Sequence, residues 1–156
     1  MNIRPATVDD LDQVCTLADE IATFHHDKEP EVFAPADAQR DRAFWLSCIT
    51  STDGTVLVAS DAETIVGYVT AKVSNISDPI FLNPRTVCRV GTIVVSSRLQ
   101  RRGIGKELIR SIETWAISRS AVEIRLEVFA FNLQASSFYA SLGYATQSYI
   151  MNRSLS

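Results

Sequence analysis

Hydrophobic positions along the chain alternate between a helical and a strand period. Leu11, Val14, Cys15, Ala18, Ile21 and Ala22 follow Thr7-Val8-Asp9-Asp10, an N-cap residue with acids behind it, and predict a helix to about Phe24 with one buried face. Before it, Asn2 to Ala6 reads as a short strand that Pro5 confines to an edge or an end. From His25 to Pro35 the pattern breaks into two prolines, mixed charge and isolated aromatics, the signature of a loop. A second helix is expected from about Ala36 to Ile49, with Ala43, Phe44 and Ile49 facing inward. After an Asp53-Gly54 turn the period becomes two: Thr55 to Asp61 and Thr64 to Ser74 read as an antiparallel hairpin, with Gly67 marking a bulge. Ser77 to Arg85, carrying Pro79 and Pro84, is a loop.

The second half is organised around Val87 to Val95, whose apolar end lacks alternation and so suits a central strand covered on both faces. A glycine- and arginine-bearing loop then leads into a helix with Ile104, Leu108, Ile109, Ile112, Trp115 and Ala116 on one stripe. Val122 to Phe129 alternates as a strand, and the helix between it and Val87 to Val95 makes the two parallel neighbours. Gln134 to Leu142 is a short helix ended by Gly143, and Tyr144 to Arg153 is expected to return as a last strand. The order β-α-α-β-β-β-α-β-α-β predicts an α/β fold, a mixed sheet flanked by helices, in one domain spanning residues 1–156.

Gln100-Arg101-Arg102-Gly103-Ile104-Gly105, set between a buried strand and a helix start, carries the candidate chemistry. Unpaired N–H groups at a helix N-terminus, a macrodipole of roughly half a positive charge, and glycines that let the main chain come close together favour a phosphate. Arg101, Arg102 and Lys106 add full charges. Lys106-Glu107 after the last glycine excludes a P-loop, and Leu108 stands where the dinucleotide fingerprint needs a third glycine. Downstream, Asn132, Ala135, Phe138, Tyr139, Gly143 and Tyr144 give the spacing Asn-x-x-Ala-x-x-Phe-Tyr-x-x-x-Gly-aromatic.

With Gln/Arg-x-x-Gly-x-Gly/Ala upstream and that second motif downstream, the chain resembles the GCN5-related N-acetyltransferase (GNAT) superfamily. The resemblance implies acetyl transfer from acetyl-CoA to a primary amine of a small molecule or peptide, by direct attack in a ternary complex. It also implies that the backbone of Ile93, Val94 and Val95 binds pantetheine, that Gln100 to Lys106 (Gln100, Arg101, Arg102, Gly103, Ile104, Gly105, Lys106) hold the diphosphate, and that Asn132 and Ser136 contact the CoA chain. Tyr139 matches the tyrosine that donates to the departing thiolate, and a phenol of pKa near ~10 keeps its proton at neutral pH. Many members carry a glutamate on the organising strand, whereas positions 89 to 95 hold no carboxylate. Glu127 on the neighbouring strand, His25 or His26, or a water relay are the substitutes, and His25, His26 and Phe33 are candidates to line the acceptor pocket. The missing carboxylate also leaves a different class open, a non-catalytic acyl-CoA sensor.

Composition narrows the partners. A net charge of −3 disfavours nucleic acid, and the compact cluster Arg98, Arg101, Arg102 and Lys106 suits one small polyanion. No apolar run is long enough for a membrane span, and a cytoplasmic setting is expected. Cys15, Cys48 and Cys88 lack metal-ligand spacing and read as reduced core thiols, so neither a disulfide nor a metal is expected. The final strands of this fold often meet a twin chain, which makes a homodimer one expected assembly.

Overall fold

The computed structural model describes residues 1–77 and 79–155. Its elements are β1 (Asn2–Pro5), α1 (Leu11–Lys28), α2 (Ala38–Ile49), β2 (Gly54–Asp61), β3 (Thr64–Ile76), β4 (Arg85–Val95), α3 (Ile104–Ser118), β5 (Glu123–Arg125) and α4 (Leu133–Ser141). The strands form one sheet in the order β1-β2-β3-β4-β5, antiparallel except for the β4–β5 pair. This is the mixed α/β architecture that the periodicities predict.

Alternation along the strands divides the core in two. Val56, Val58, Tyr68 and Val94 face α1 and α2, where they meet Leu11, Val14, Leu17 and Trp45. Leu57, Ala59, Val69 and Val90 face the opposite way, onto Ile104, Leu108, Ile112 and Ala116 of α3. Leu108 and Ile112 are fully buried, and burial of side chains this size stabilises by roughly 1.5–3 kcal/mol each. The α1 face is pinned at its start, where the Asp10 carboxylate accepts from the Thr7 amide at 2.8 Å and from both terminal nitrogens of Arg4 at 2.7 and 2.9 Å.

Three features differ from expectation. Helix α1 continues past Phe24 to Lys28, so His25 and His26 are helical and the loop shortens; the stop comes at Glu29, which precedes Pro30 and leaves the helical region at φ −141°. On α2, capped by Asp37 through the Arg40 amide at 2.8 Å, Ile49 packs inward as expected and Trp45 is the buried residue, while Ala43 and Phe44 are exposed. Strand β5 is only three residues long, and the tail from Tyr144 forms no strand among the described residues. That tail alternates weakly and leaves Tyr149, Ile150 and Met151 exposed, so no apolar face anchors it to the sheet.

Two bulges break the ladders. One lies at Val66, beside Gly67, as the glycine leads one to expect: Ala59 pairs with Gly67 and Ser60 with Ile65. The other shapes the site. Val69 pairs with Ile93 and Ala71 with Val90, so Gly91 and Thr92 together oppose Thr70, whose Oγ1 accepts from the Thr92 amide at 2.9 Å. A bulge bends its strand, and here it follows directly on the last β4–β5 pair, Arg89 with Arg125. Beyond that pair, Leu126 to Phe129 follows β5 without joining any strand among the described residues. The sheet opens at that point into a seam.

Candidate functional site

The seam is the floor of a cleft of about 450 Å³, walled by α1, α2 and α4. Helix α1 contributes Ala18, Ile21, Ala22 and His25; α2 contributes Arg40, Asp41, Phe44 and Trp45. Gly91, Thr92 and Ile93 of the bulged strand line it, as do Glu127, Val128 and Phe129 from the unpaired segment and Asn132, Ala135 and Tyr139 from α4. The chain fold thus brings His25, Phe33, Ile93, Glu127, Asn132 and Tyr139, six residues singled out in the sequence, to one cavity.

His26 is not among its lining residues. Neighbouring positions on a helix point about 100° apart, and His26 turns to the following loop, where its Nδ1 donates to the Phe33 carbonyl at 2.7 Å. His25 Nδ1 donates to the Ile21 carbonyl at 2.9 Å, which leaves Nε2 as the acceptor of the neutral ring. Around His25 stand Phe33 at 4.8 Å and Phe131 at 5.7 Å between ring centroids, with Phe129 a further 4.6 Å from Phe33.

At the end of β4 the loop turns sharply into α3. Arg101 and Gly103 both adopt the left-handed region, at φ 63° and 84°, and Gly103 is the N-cap. Among the described residues no side chain caps this helix, so its first amides stay open, and a Cβ on Gly103 would meet nothing within 4 Å. Arg98, Arg101, Arg102 and Lys106 are exposed and form no ion pair among the described residues. Gly105 has another role: a Cβ there would lie 3.2 Å from Phe138 Cζ, so the glycine sets the approach of α4 to α3. Gln100 is engaged within the protein, donating to the Val95 carbonyl at 3.3 Å and accepting from Gln134 at 3.5 Å.

On α4, Asn132 is the N-cap and accepts from the Ala135 amide at 3.0 Å while also lining the cleft. Ser136 is exposed one turn further on. Tyr139 is 7% exposed, and burial, with Tyr144 beside it at 5.5 Å, pushes its phenol above the ordinary tyrosine range, so it keeps its proton at neutral pH. Glu127 is exposed to the cleft and forms no ion pair among the described residues, since Arg125 turns instead to Glu123.

Sequence reasoning missed Phe44, Trp45, Asp41 and Phe129 as cleft residues. The adjacent aromatics Phe44-Trp45 and the pair Phe129 and Phe131 were the available signals, but helical and strand periods alone do not say which apolar residues face a cavity. Among the described residues no cluster of His, Cys, Asp or Glu could hold a metal ion, and no helix is long and apolar enough to cross a membrane.

Solved structures share this fold across nearly the whole chain. A variant of the BH1408 protein from Bacillus halodurans superposes with a TM-score of 0.93 at 25% identity, covering 99% of both chains. The apo aminoglycoside antibiotic 6'-N-acetyltransferase from Acinetobacter haemolyticus gives a TM-score of 0.78 at 18% identity, covering 100% of this chain and 99% of its own. An aminoglycoside N-acetyltransferase in complex with CoA gives 0.78 at 16%, covering 99% and 95%. At such identities the likeness to the two aminoglycoside enzymes shows the fold alone. No curated protein sequence matches the chain significantly. The sequence pattern of the acetyltransferase (GNAT) family, however, matches residues 17–144, from α1 through the capped end of α4. The chain belongs to the GNAT family of acetyltransferases.

Proposed function

We propose that the protein transfers the acetyl group of acetyl-CoA to a primary amine, within a complex that holds both at once. The observation that carries this reading is the seam: parallel pairing stops at Arg89 and Arg125, and the open strand edges run toward the uncapped N-terminus of α3. Such edges accept an extended, amide-bearing chain as they would another strand. The helix amides from Ile104 onward, with Arg101, Arg102 and Lys106, then take a diphosphate. Gly103 keeps that approach clear, since a Cβ there meets empty space. Bound acetyl-CoA supplies a thioester carbonyl for attack.

The remaining steps belong to side chains. Tyr139, protonated and lining the cleft, donates its hydroxyl hydrogen to the departing sulfur. Glu127 receives the proton of the attacking amine, directly or through water, and the acceptor lone pair of His25 Nε2 is the other base within the same cavity. His25 and Phe33 line the acceptor side, whereas His26 positions the loop that carries Phe33.

Calorimetry with CoA, followed by thiol release from acetyl-CoA over a panel of amines, tests the proposal. Tyr139→Phe is expected to lower turnover on the order of 100-fold while CoA affinity holds. Arg101→Glu with Arg102→Glu is expected to weaken CoA binding. Absence of CoA heat in folded protein overturns the assignment. CoA binding without acceptor-dependent thiol release turns it toward a sensor module, the reading favoured by the lack of a carboxylate on β4 from position 89 to 95.

A further inference from the structure

Resting on the acetyl-transfer reading, we infer that the acceptor is a monoamine with an apolar, aromatic-sized body, and that hydroxyl-rich polyamines are poor substrates. The lining of the cleft is mainly carbon. Phe33 and Phe129 meet edge to face at 4.6 Å between centroids, and Phe44 and Trp45 do the same at 4.9 Å on the α2 side. All four line the cavity, together with Ile21.

The charges on the wall reduce to one. Asp41 is committed, accepting from Arg40 Nε at 2.6 Å and from the Asp37 amide at 2.8 Å. That also occupies Arg40, which donates in addition to the Pro35 carbonyl at 3.0 Å. Glu127 remains, exposed to the cleft and without an ion pair among the described residues. A single carboxylate among aromatic faces recognises one ammonium and the apolar group attached to it, and the rings add cation–π attraction before the amine loses its proton.

A polyhydroxylated or polycationic acceptor needs more than this wall provides. Each hydroxyl laid on a phenylalanine face gives up water and finds no partner, and each extra ammonium beyond the first has no free carboxylate to meet. The discrimination therefore arises from what the cleft withholds as much as from what it offers.

The test compares 2-phenylethylamine, putrescine and kanamycin by two independent readouts: direct binding to the protein by calorimetry, with and without CoA, and thiol release from acetyl-CoA. 2-Phenylethylamine is expected to bind and to react at least about tenfold better than the other two. Phe33→Ala, in the loop, and Phe44→Ala, exposed on α2, are each expected to erase most of that preference while leaving CoA heat unchanged. Preference for putrescine or kanamycin, or equal treatment of all three, overturns the inference while leaving acetyl transfer intact. Selective binding of 2-phenylethylamine with no thiol release from any amine upholds the cleft's selectivity and instead overturns the enzyme reading.

Discussion

Asp10 is the point at which a small chemical change should be felt through a whole face of the molecule. Its carboxylate, 6% exposed, bonds to both terminal nitrogens of Arg4 and to the Thr7 amide, joining the end of β1 to the start of α1. The Arg4 guanidinium first, and the Thr7 amide after it, hold the carboxyl at about 2 instead of its ordinary 3.8. At about 1.4 kcal/mol per pH unit, that lowering corresponds to about 2.5 kcal/mol of folding stability. Because the folded value lies below the unfolded one, the contribution is complete above about pH 4 and disappears as pH falls toward 2. Asp10→Asn, which keeps an acceptor for Thr7 but removes the charge, is expected to cost about 2 kcal/mol at pH 7, or roughly 5 °C in Tm. Arg4→Ala is expected to cost less, about 1 kcal/mol, since water screens its half-exposed side chain. Urea unfolding of wild type and both variants at pH 7, 5 and 3 measures this. The gap between variant and wild type should shrink to roughly half by pH 3. An Asp10→Asn protein equal to wild type at pH 7, or a gap that persists unchanged at pH 3, would refute the reasoning.

Two more predictions concern strain and unmet polarity. Tyr68 is fully buried against Trp45, and its hydroxyl has no hydrogen-bond partner among the described residues; Tyr68→Phe is expected to leave stability unchanged or raise it by about 1 kcal/mol in urea unfolding, and a loss of that size would contradict an unpartnered hydroxyl. Arg101 sits at φ 63°, a region that costs a non-glycine residue about 1–2 kcal/mol, so Arg101→Gly is expected to match or slightly exceed wild-type stability while weakening CoA binding measured by calorimetry; lowered stability would show that the loop is not strained there.

The fold was legible wherever one period ran long enough to define a face. The stripe on α3 and the alternation through β2 and β3 are dictated by burial on a sheet, and both appear in the structure as read. Ends were harder. Nothing between Phe24 and Lys28 prevents another turn of helix, and only the glutamate before Pro30 stops it, so His25 and His26 moved from loop to helix. Strand β5 is short because the Gly91–Thr92 bulge turns β4 away from it, a property of the neighbour that its own alternation does not record. The paired motifs pointed to the turn into α3, which the structure leaves open, and to Tyr139, which lines the cleft. Phe33 was singled out, but Trp45 and Phe129 escaped notice as its companions because the three lie far apart in the chain and come to one cavity only in the folded protein.

The division of the interior by strand alternation has a consequence for how such a protein can diversify. The α1 and α2 residues that line the cleft, among them Ala18 and Trp45, pack on one face of the sheet, while the interior beneath the loop that opens α3, with Ile104 and Leu108, lies across it. Between these α1 and α2 residues and the α3 interior stands the sheet, whose backbone the hydrogen-bonded ladders hold fixed, so the energetic effects of changes on the two faces should add nearly independently. A lineage can therefore exchange cleft residues one after another, trying new partners, while the machinery on the far side is inherited intact.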